Sequence, residues 1–439
     1  MTPLTPLRIL FTGLIGLFML GLGVYCLWRY ADEVQLPRYV ATGDVRPAQD
    51  LPADDVDPTA VPNEVPAEVP AQEIADRAVN ERVVRVERSS SDIPPWVFLT
   101  AGLVLTSLSL FGRWPLMWIT RLLSSSNHAP MTPTRNQGKL IDRPDGTRLN
   151  VEVYGKLDGP TLVFTHGWSL DSTAWYYAKK LLGSKFRLVL WDLPGLGRSQ
   201  APDDGNFEIA KMAEDLHAVV ESIGATKPVF LVGHSIGGMI TQIYGGKYSD
   251  SLRQHVAGLI LVHTTYTNPL RTMLGAPLWT AIEKIIITPS QYLMIGLAPV
   301  FWLSNWQSYL NGSLQLTTRL SSFTGKQSFQ HVDYAAWLST QAWPAHIARG
   351  NLGMFLYDAQ SALRKINVPL LVISGHHDRI TKPDASERIN ELAANSQPLL
   401  EDGGHLALFE FHDEVMQGIA QFVETHQPIP RGEPEALSV

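Results

Sequence analysis

Five short apolar runs, TLVFT, FRLVLW, PVFLVG, GLILVH and PLLVIS, recur between Thr161 and Ser374, each bounded by Gly, Pro or a charged residue. Runs of this length without polar alternation suit strands buried on both faces, whereas Leu149, Val151 and Val153 alternate like a strand with one wet face. Between the runs, Ile209, Met212, Ala213, Leu216, Val219, Val220 and Ile223 recur at helical spacing and form a single apolar stripe able to cover a sheet. The expected class is therefore α/β, with a mostly parallel sheet and helices on both faces. No internal repeat is visible.

Upstream of this region the text is different. Ile9 to Trp28 is twenty residues without a charge, bracketed by Arg8 and Arg29, and twenty helical residues cover about 30 Å of hydrocarbon. An uncleaved transmembrane helix is expected over residues 1–29. A second apolar run, Trp96 to Phe111, continues past Arg113 into PLMWIT and is expected to form another membrane helix over residues 96–123. The acidic, Pro-rich segment at 30–95 has too little apolar area to offset its ordering entropy, so it reads as a disordered loop with a short charged helix near Gln72–Arg88. Because a loop longer than about 60 residues translocates largely regardless of charge, the acidic loop is placed outside and the carboxyl-terminal region in the cytoplasm. Residues 124–142 read as a linker and 428–439 as a flexible tail.

Charge excludes some functions. A net charge of -7 offers no basic excess to a phosphate backbone, so nucleic acid is not an expected partner. The single cysteine, Cys26, cannot close an intrachain disulfide or build a Cys-rich metal site. His376, His377 and Asp378 are consecutive and lack the i, i+4 spacing that puts two ligands on one helix face, so no metal site is expected.

The chemistry begins where PVFLVG meets a helical segment, at Gly233-His234-Ser235-Ile236-Gly237-Gly238. A G-x-S-x-G sequence between a strand and a helix suits a sharp turn that lifts a serine above the sheet, with Gly233 and Gly237 letting backbone pass close on either side. A serine nucleophile needs a base and a group to orient that base. Asp378 follows the strand PLLVIS, and His405 follows the later run QPLLEDGG, giving the chain order Ser, Asp, His. An imidazole can take the hydroxyl proton while a buried carboxylate fixes its tautomer. TLVFTHGW ends with His166, Gly167 and Trp168, so the backbone N–H groups of Trp168 and Ile236 are candidates to hold an oxyanion. His166 is expected to brace this turn, and the DLPGLGRS loop after Trp191 to act as scaffold.

Together HGW, DLPGLGRS, GHSIGG, Asp378 and Gly-Gly-His405 resemble the α/β-hydrolase superfamily, in its serine esterase and lipase branch. The resemblance covers about Arg143 to Gln427. It implies an eight-stranded, mostly parallel sheet at 143–427 with a helical cap at about 266–366, a Ser235-His405-Asp378 triad and no cofactor. Epoxide hydrolases and haloalkane dehalogenases share much of the pattern but use an aspartate where this chain has Ser235. Amide, thioester, perhydrolase or carbon–carbon bond chemistry would use the same residues, and a non-catalytic membrane-tethered binding protein would keep the fold.

The inserted region contains Trp279, Trp302, Trp306, Trp337 and Trp343, and a charge-free stretch from Ile285 to Leu303. A membrane crossing there would separate Ser235 from His405, and Pro289 and Pro299 interrupt the helix, so a lid with an apolar underside is expected. The expected partners are a small-molecule or lipid ester, acylglycerol-like, and a membrane engaged through the N-terminal helices.

Overall fold

The computed structural model describes residues 5–35, 92–123, 131–225 and 227–427. Most of the acidic segment, including its expected helix near Gln72–Arg88, and the tail after Gln427 lie outside the described residues. The chain divides into two units, one of Leu20–Thr106 and one of residues 1–19 with 107–439.

Helix α1 (Thr5–Gln35) has 31 residues, more than the roughly 20 that span a bilayer. It continues past Trp28 because Arg29 pairs with Asp32 at 3.3 Å and Glu33 at 2.8 Å, holding the last turn. The second apolar segment is not one helix but two, α2 (Pro95–Phe111) and α3 (Arg113–Leu123), bent by 69°. The bend falls at Gly112, which lies so close to the Asn311 carbonyl that a side chain would not fit. Among the described residues, one helix is by itself long and apolar enough to cross a membrane, α1. Within the smaller unit, a Cβ added to Gly102 would meet Leu27, and one added to Gly23 would meet Thr106, so small residues let these helices approach closely.

The larger unit is built on eight strands: β1 (Lys139–Asp142), β2 (Arg148–Gly155), β3 (Thr161–Thr165), β4 (Arg187–Trp191), β5 (Val229–His234), β6 (Val256–Val262), β7 (Leu370–Gly375) and β8 (Ser396–Glu401). Their order is β1-β2-β4-β3-β5-β6-β7-β8, with β2 antiparallel to both neighbours and every pair from β4 to β8 parallel. The sheet thus begins at Lys139, inside the segment expected to be a linker. KLID is too short and too charged to stand out, and only its pairing with Arg148–Val151 makes it a strand.

Side-chain alternation sorts the sheet into two cores. Val163, Leu231 and Leu261 face Met212 and Leu216 of α4 (Ile209–Ser222) and Ile240 of α5 (Ile236–Lys247). Phe164, Phe230, Val232 and Ile260 face the other way, toward Val415, Ile419 and Phe422 of the last helix (His412–His426). Because β3 and β5 to β8 are parallel, their carboxyl ends lie along one edge, the usual place for ligands in such sheets.

The chain leaves this edge after β6 and returns before β7. Thr267 bridges to Asp358 at the neck of the excursion, and the following Ala359 and Leu363 are buried in the first core. The cap therefore closes before residue 366, since Gln360–Lys365 packs with α5, where Ala362 blocks any side chain at Gly246. Its helices include Ala276–Ile282, Thr288–Gly296, α6 (Ala298–Leu310), α7 (Ser313–Ser322), α8 (Phe329–Gln341) and α9 (Pro344–Phe355). The lid is apolar on more than its underside. Met294 and Phe301 do point inward, but Leu278, Ile285, Tyr292, Leu293, Val300 and Leu303 are exposed, so the outer face of the lid is apolar too. Ala276–Gly296 and α6 meet at 100°, and periodicity alone cannot separate two apolar faces on such bent helices.

Candidate active site

Ser235 sits between β5 and α5 with φ 54° and ψ -117°, a conformation L-residues rarely adopt. The turn is locked rather than relaxed. A methyl on Gly233 would run into the Gly237 carbonyl, and one on Gly237 into the Thr165 carbonyl. Ser169 and His263, at the ends of β3 and β6, also have positive φ, so the three non-glycine residues in this state among the described residues all border one site.

His405 Nε2 lies 3.0 Å from Ser235 Oγ, and His405 Nδ1 lies 2.9 Å from Asp378 Oδ2. The three side chains expected to meet are brought together. With Nδ1–H donating to the carboxylate, Nε2 is left as the acceptor for the serine hydroxyl. Burial lowers the His405 pKa and outweighs the neighbouring Asp378, which raises it; the ring is therefore neutral at pH 7 and able to accept a proton. Asp378 is held well below the usual carboxylate range: burial would raise it, but its interactions with His405 and His263 prevail. Its Oδ1 also accepts N–H bonds from Ile380 at 2.8 Å and Thr381 at 2.9 Å.

The two backbone N–H groups expected to hold an oxyanion are both open. Neither Trp168 nor Ile236 donates to an acceptor among the described residues, and Ile236 begins α5, where a helix leaves its donors unmet. The Trp168 indole donates to the Ile347 carbonyl of the cap at 3.1 Å, tying this loop to the lid. His166 braces the turn: its Nε2 accepts from Leu193 N–H at 3.0 Å, leaving Nδ1–H to donate to the Gly167 carbonyl at 2.8 Å. Behind it, buried Asp192 accepts from Ser172 N–H, Arg198 N–H and Arg135, and Arg135 also pairs with Glu152 and Asp171. The DLPGLGRS loop is thus a scaffold that fixes the loop of His166, Gly167 and Trp168. A nucleophile, a base, a carboxylate and two free donors in this arrangement can carry out acyl transfer.

The sequence profile of the alpha/beta hydrolase family matches residues 162–417, more than half of the chain. The chain belongs to the alpha/beta hydrolase family. Over 108 residues the chain is 35% identical to a probable oxidoreductase, EphD, of Mycobacterium tuberculosis, a match that spans 24% of the chain and only 18% of that relative's length. It is 23% identical over 283 residues to a pimeloyl-[acyl-carrier protein] methyl ester esterase of Aeromonas hydrophila, covering 63% of the chain and 99% of the relative. Among solved structures, a thermophilic esterase from Thermogutta terrifontis is similar with a TM-score of 0.55 and 24% identity, over 67% of the chain and all of that structure.

The chain carries one feature at this site that sequence reasoning missed. His263, fully buried at the end of β6, lies 3.1 Å from Asp378 Oδ2 through Nδ1 and 3.1 Å from Glu401 Oε1 through Nε2. It therefore joins two carboxylates at the ends of adjacent strands. Burial alone would lower its pKa, but the Asp378 and Glu401 carboxylates beside it bring it up to about 9, so it is a cation at pH 7. A base raised on folding stabilises the native state fully below its unfolded pKa near 6.5, and that stability is lost as pH rises through about 9. The protein is expected to lose on the order of 3 kcal/mol more between pH 6.5 and 9.5 than its His263→Phe variant. Denaturant unfolding across that range checks this; parallel pH profiles for the two proteins would show that His263 is not charged.

A cavity of about 140 Å³ opens at Ser235 and His405. Met239, Leu270, Met273, Met354, Phe355 and Ile380 give it an apolar lining, while Thr317, Thr318 and Ser321 of α7 add hydroxyls. Apolar volume with a few convergent polar groups is the usual character of a small-molecule site.

Proposed function

We propose that this chain is a membrane-anchored serine hydrolase that cleaves lipophilic carboxylic esters through an acyl-enzyme on Ser235. The unbroken hydrogen-bonded series Ser235 Oγ, His405, Asp378 is the observation that carries the reading. Ser235 Oγ attacks the ester carbonyl carbon as its proton passes to His405 Nε2. The carbonyl oxygen becomes an oxyanion held by the N–H groups of Trp168 and Ile236. Collapse expels the alcohol, which takes the proton from His405, and leaves the acyl group on Ser235. Water then attacks with His405 again as base, releasing the acid and restoring the serine. No cofactor enters this cycle. The ester named for the Aeromonas hydrophila relative is of the same bond type.

Two observations support a lipophilic substrate drawn from a membrane. The cavity is lined largely by Met, Leu, Ile and Phe, and the exposed apolar face of the lid, with Leu278 at 56% and Ile285 at 74% accessible, suits contact with lipid. The N-terminal helix would hold the enzyme at that surface, with the hydrolase unit on the cytoplasmic side. Each buried methylene contributes about 0.8 kcal/mol at most, so kcat/KM is expected to rise about 10- to 100-fold from acetyl to octanoyl 4-nitrophenyl esters. Fastest turnover of the acetyl ester would remove the lipophilic part of the proposal.

A further inference from the structure

Among the described residues, the cavity beside Ser235 contains a cation that the acyl-transfer cycle does not use. Arg8, from the first turns of α1, lines the same cavity as Ser235 and His405. Its Nη1 donates to Thr317 Oγ1 at 2.8 Å, its Nε is buried without an acceptor, and no carboxylate pairs with it among the described residues. The contrast with Arg135 is informative: that guanidinium is surrounded by Glu152, Asp171 and Asp192. A guanidinium withdrawn from water without an anion is costly, and an incoming carboxylate or phosphate would relieve that cost through charge-assisted, bidentate bonds.

The placement of Arg8 is built into the packing. Thr12 Oγ1 lies 2.7 Å from Ser308 Oγ on α6, Ser109 Oγ donates to the Gly16 carbonyl at 2.9 Å, and Gly13 lies against Ser304 with no room for a side chain. These contacts set the register of the first half of α1 against the cap. The Thr318 hydroxyl lines the same cavity and supplies a further donor, while those of Thr317 and Ser321 donate to the Leu314 and Thr318 carbonyls.

We propose that Arg8, with the Thr318 hydroxyl, binds an anionic group carried by the substrate, so that the enzyme selects anionic amphiphilic esters over neutral ones. This rests on the ester-hydrolase reading of the same cavity. The anion has two chemical sources, a phosphate on the alcohol side or a carboxylate at the far end of the acyl chain. Arg8 acts here as a specificity-determining residue.

The test is equilibrium binding to the full-length chain carrying Ser235→Ala, in a neutral detergent, so that it does not depend on turnover. Two matched pairs serve as probes: 1-dodecanoylglycerol 3-phosphate against 1-dodecanoylglycerol, and monomethyl dodecanedioate against methyl dodecanoate. With Arg8 present, an anionic member is expected to bind about tenfold more tightly than its neutral partner. Arg8→Gln should abolish that ratio and Arg8→Lys should retain part of it. A preference confined to the phosphate pair assigns a headgroup, and one confined to the carboxylate pair assigns the acyl end. Equal binding within both pairs, a preference that survives Arg8→Gln, or an equal loss of both members in that variant would overturn the proposal. Failure of the wild-type chain to cleave any ester would instead count against the ester-hydrolase reading.

Discussion

Ser235→Ala is expected to lower kcat by roughly 10⁴- to 10⁶-fold while the protein stays folded. Ser235 Oγ is the only atom of the hydrogen-bonded series positioned to form a bond to carbon, and among the described residues His405 has no second hydroxyl in its place, because Thr381 Oγ1 lies 3.3 Å from Nδ1 on the opposite side of the ring. Alanine adopts φ 54° no more easily than serine, and the Ser235 N–H bond to the Val262 carbonyl at 2.9 Å is kept. The thermal midpoint should therefore move by only a few degrees. Steady-state kinetics with an activated ester, beside a melting curve, checks both halves. Turnover within tenfold of wild type would place the chemistry elsewhere.

Asp378→Asn should cost about 10³- to 10⁴-fold in kcat/KM, and the reason is specific to the donors around that side chain. One carboxylate oxygen accepts from Ile380 and Thr381 N–H groups, and the other accepts from Thr381 Oγ1, His405 and His263. An amide has one oxygen, so its NH₂ must face one of these donor sets. The two backbone N–H groups cannot turn away, and the NH₂ is driven toward His405 Nδ1. That ring nitrogen then becomes an acceptor, the proton moves to Nε2, and the base opposite Ser235 is lost. His263 loses half of its negative surroundings in the same substitution. Rates that do not recover at any pH between 6 and 9 would fit this account; a loss below tenfold would show that Asp378 does not set the tautomer.

Much of this was legible in the chain because strands and their carboxyl ends are local features. PVFLVG followed by Gly-His-Ser-Ile-Gly announces both a buried strand and the turn that ends it, and Asp378 and His405 each follow a recognisable run. His263 was hidden by the same logic. It closes the run GLILVH, where a polar residue reads as a strand boundary, and only the adjacency of β6 to β7 and of β7 to β8 brings it between Asp378 and Glu401. Arg8 was hidden by its neighbours, since a charge just before an apolar helix reads as an interfacial flank. That it lines the cavity depends on which face of α1 meets the cap, which hydropathy does not encode. The outer face of the lid is not legible in sequence because Ile285 to Leu303 carries no charge, so no charged stripe distinguishes inside from outside.

Ser235 acting as the attacking atom is the claim on which the functional reading stands, and covalent trapping tests it most directly. The full-length chain is treated with a fluorophosphonate, digested and mapped by mass spectrometry. One adduct is expected, on the peptide holding Ser235, absent from Ser235→Ala and greatly slowed in His405→Ala. A folded protein that takes up no label, or one labelled at another serine with Ser235 unmodified, would contradict the account.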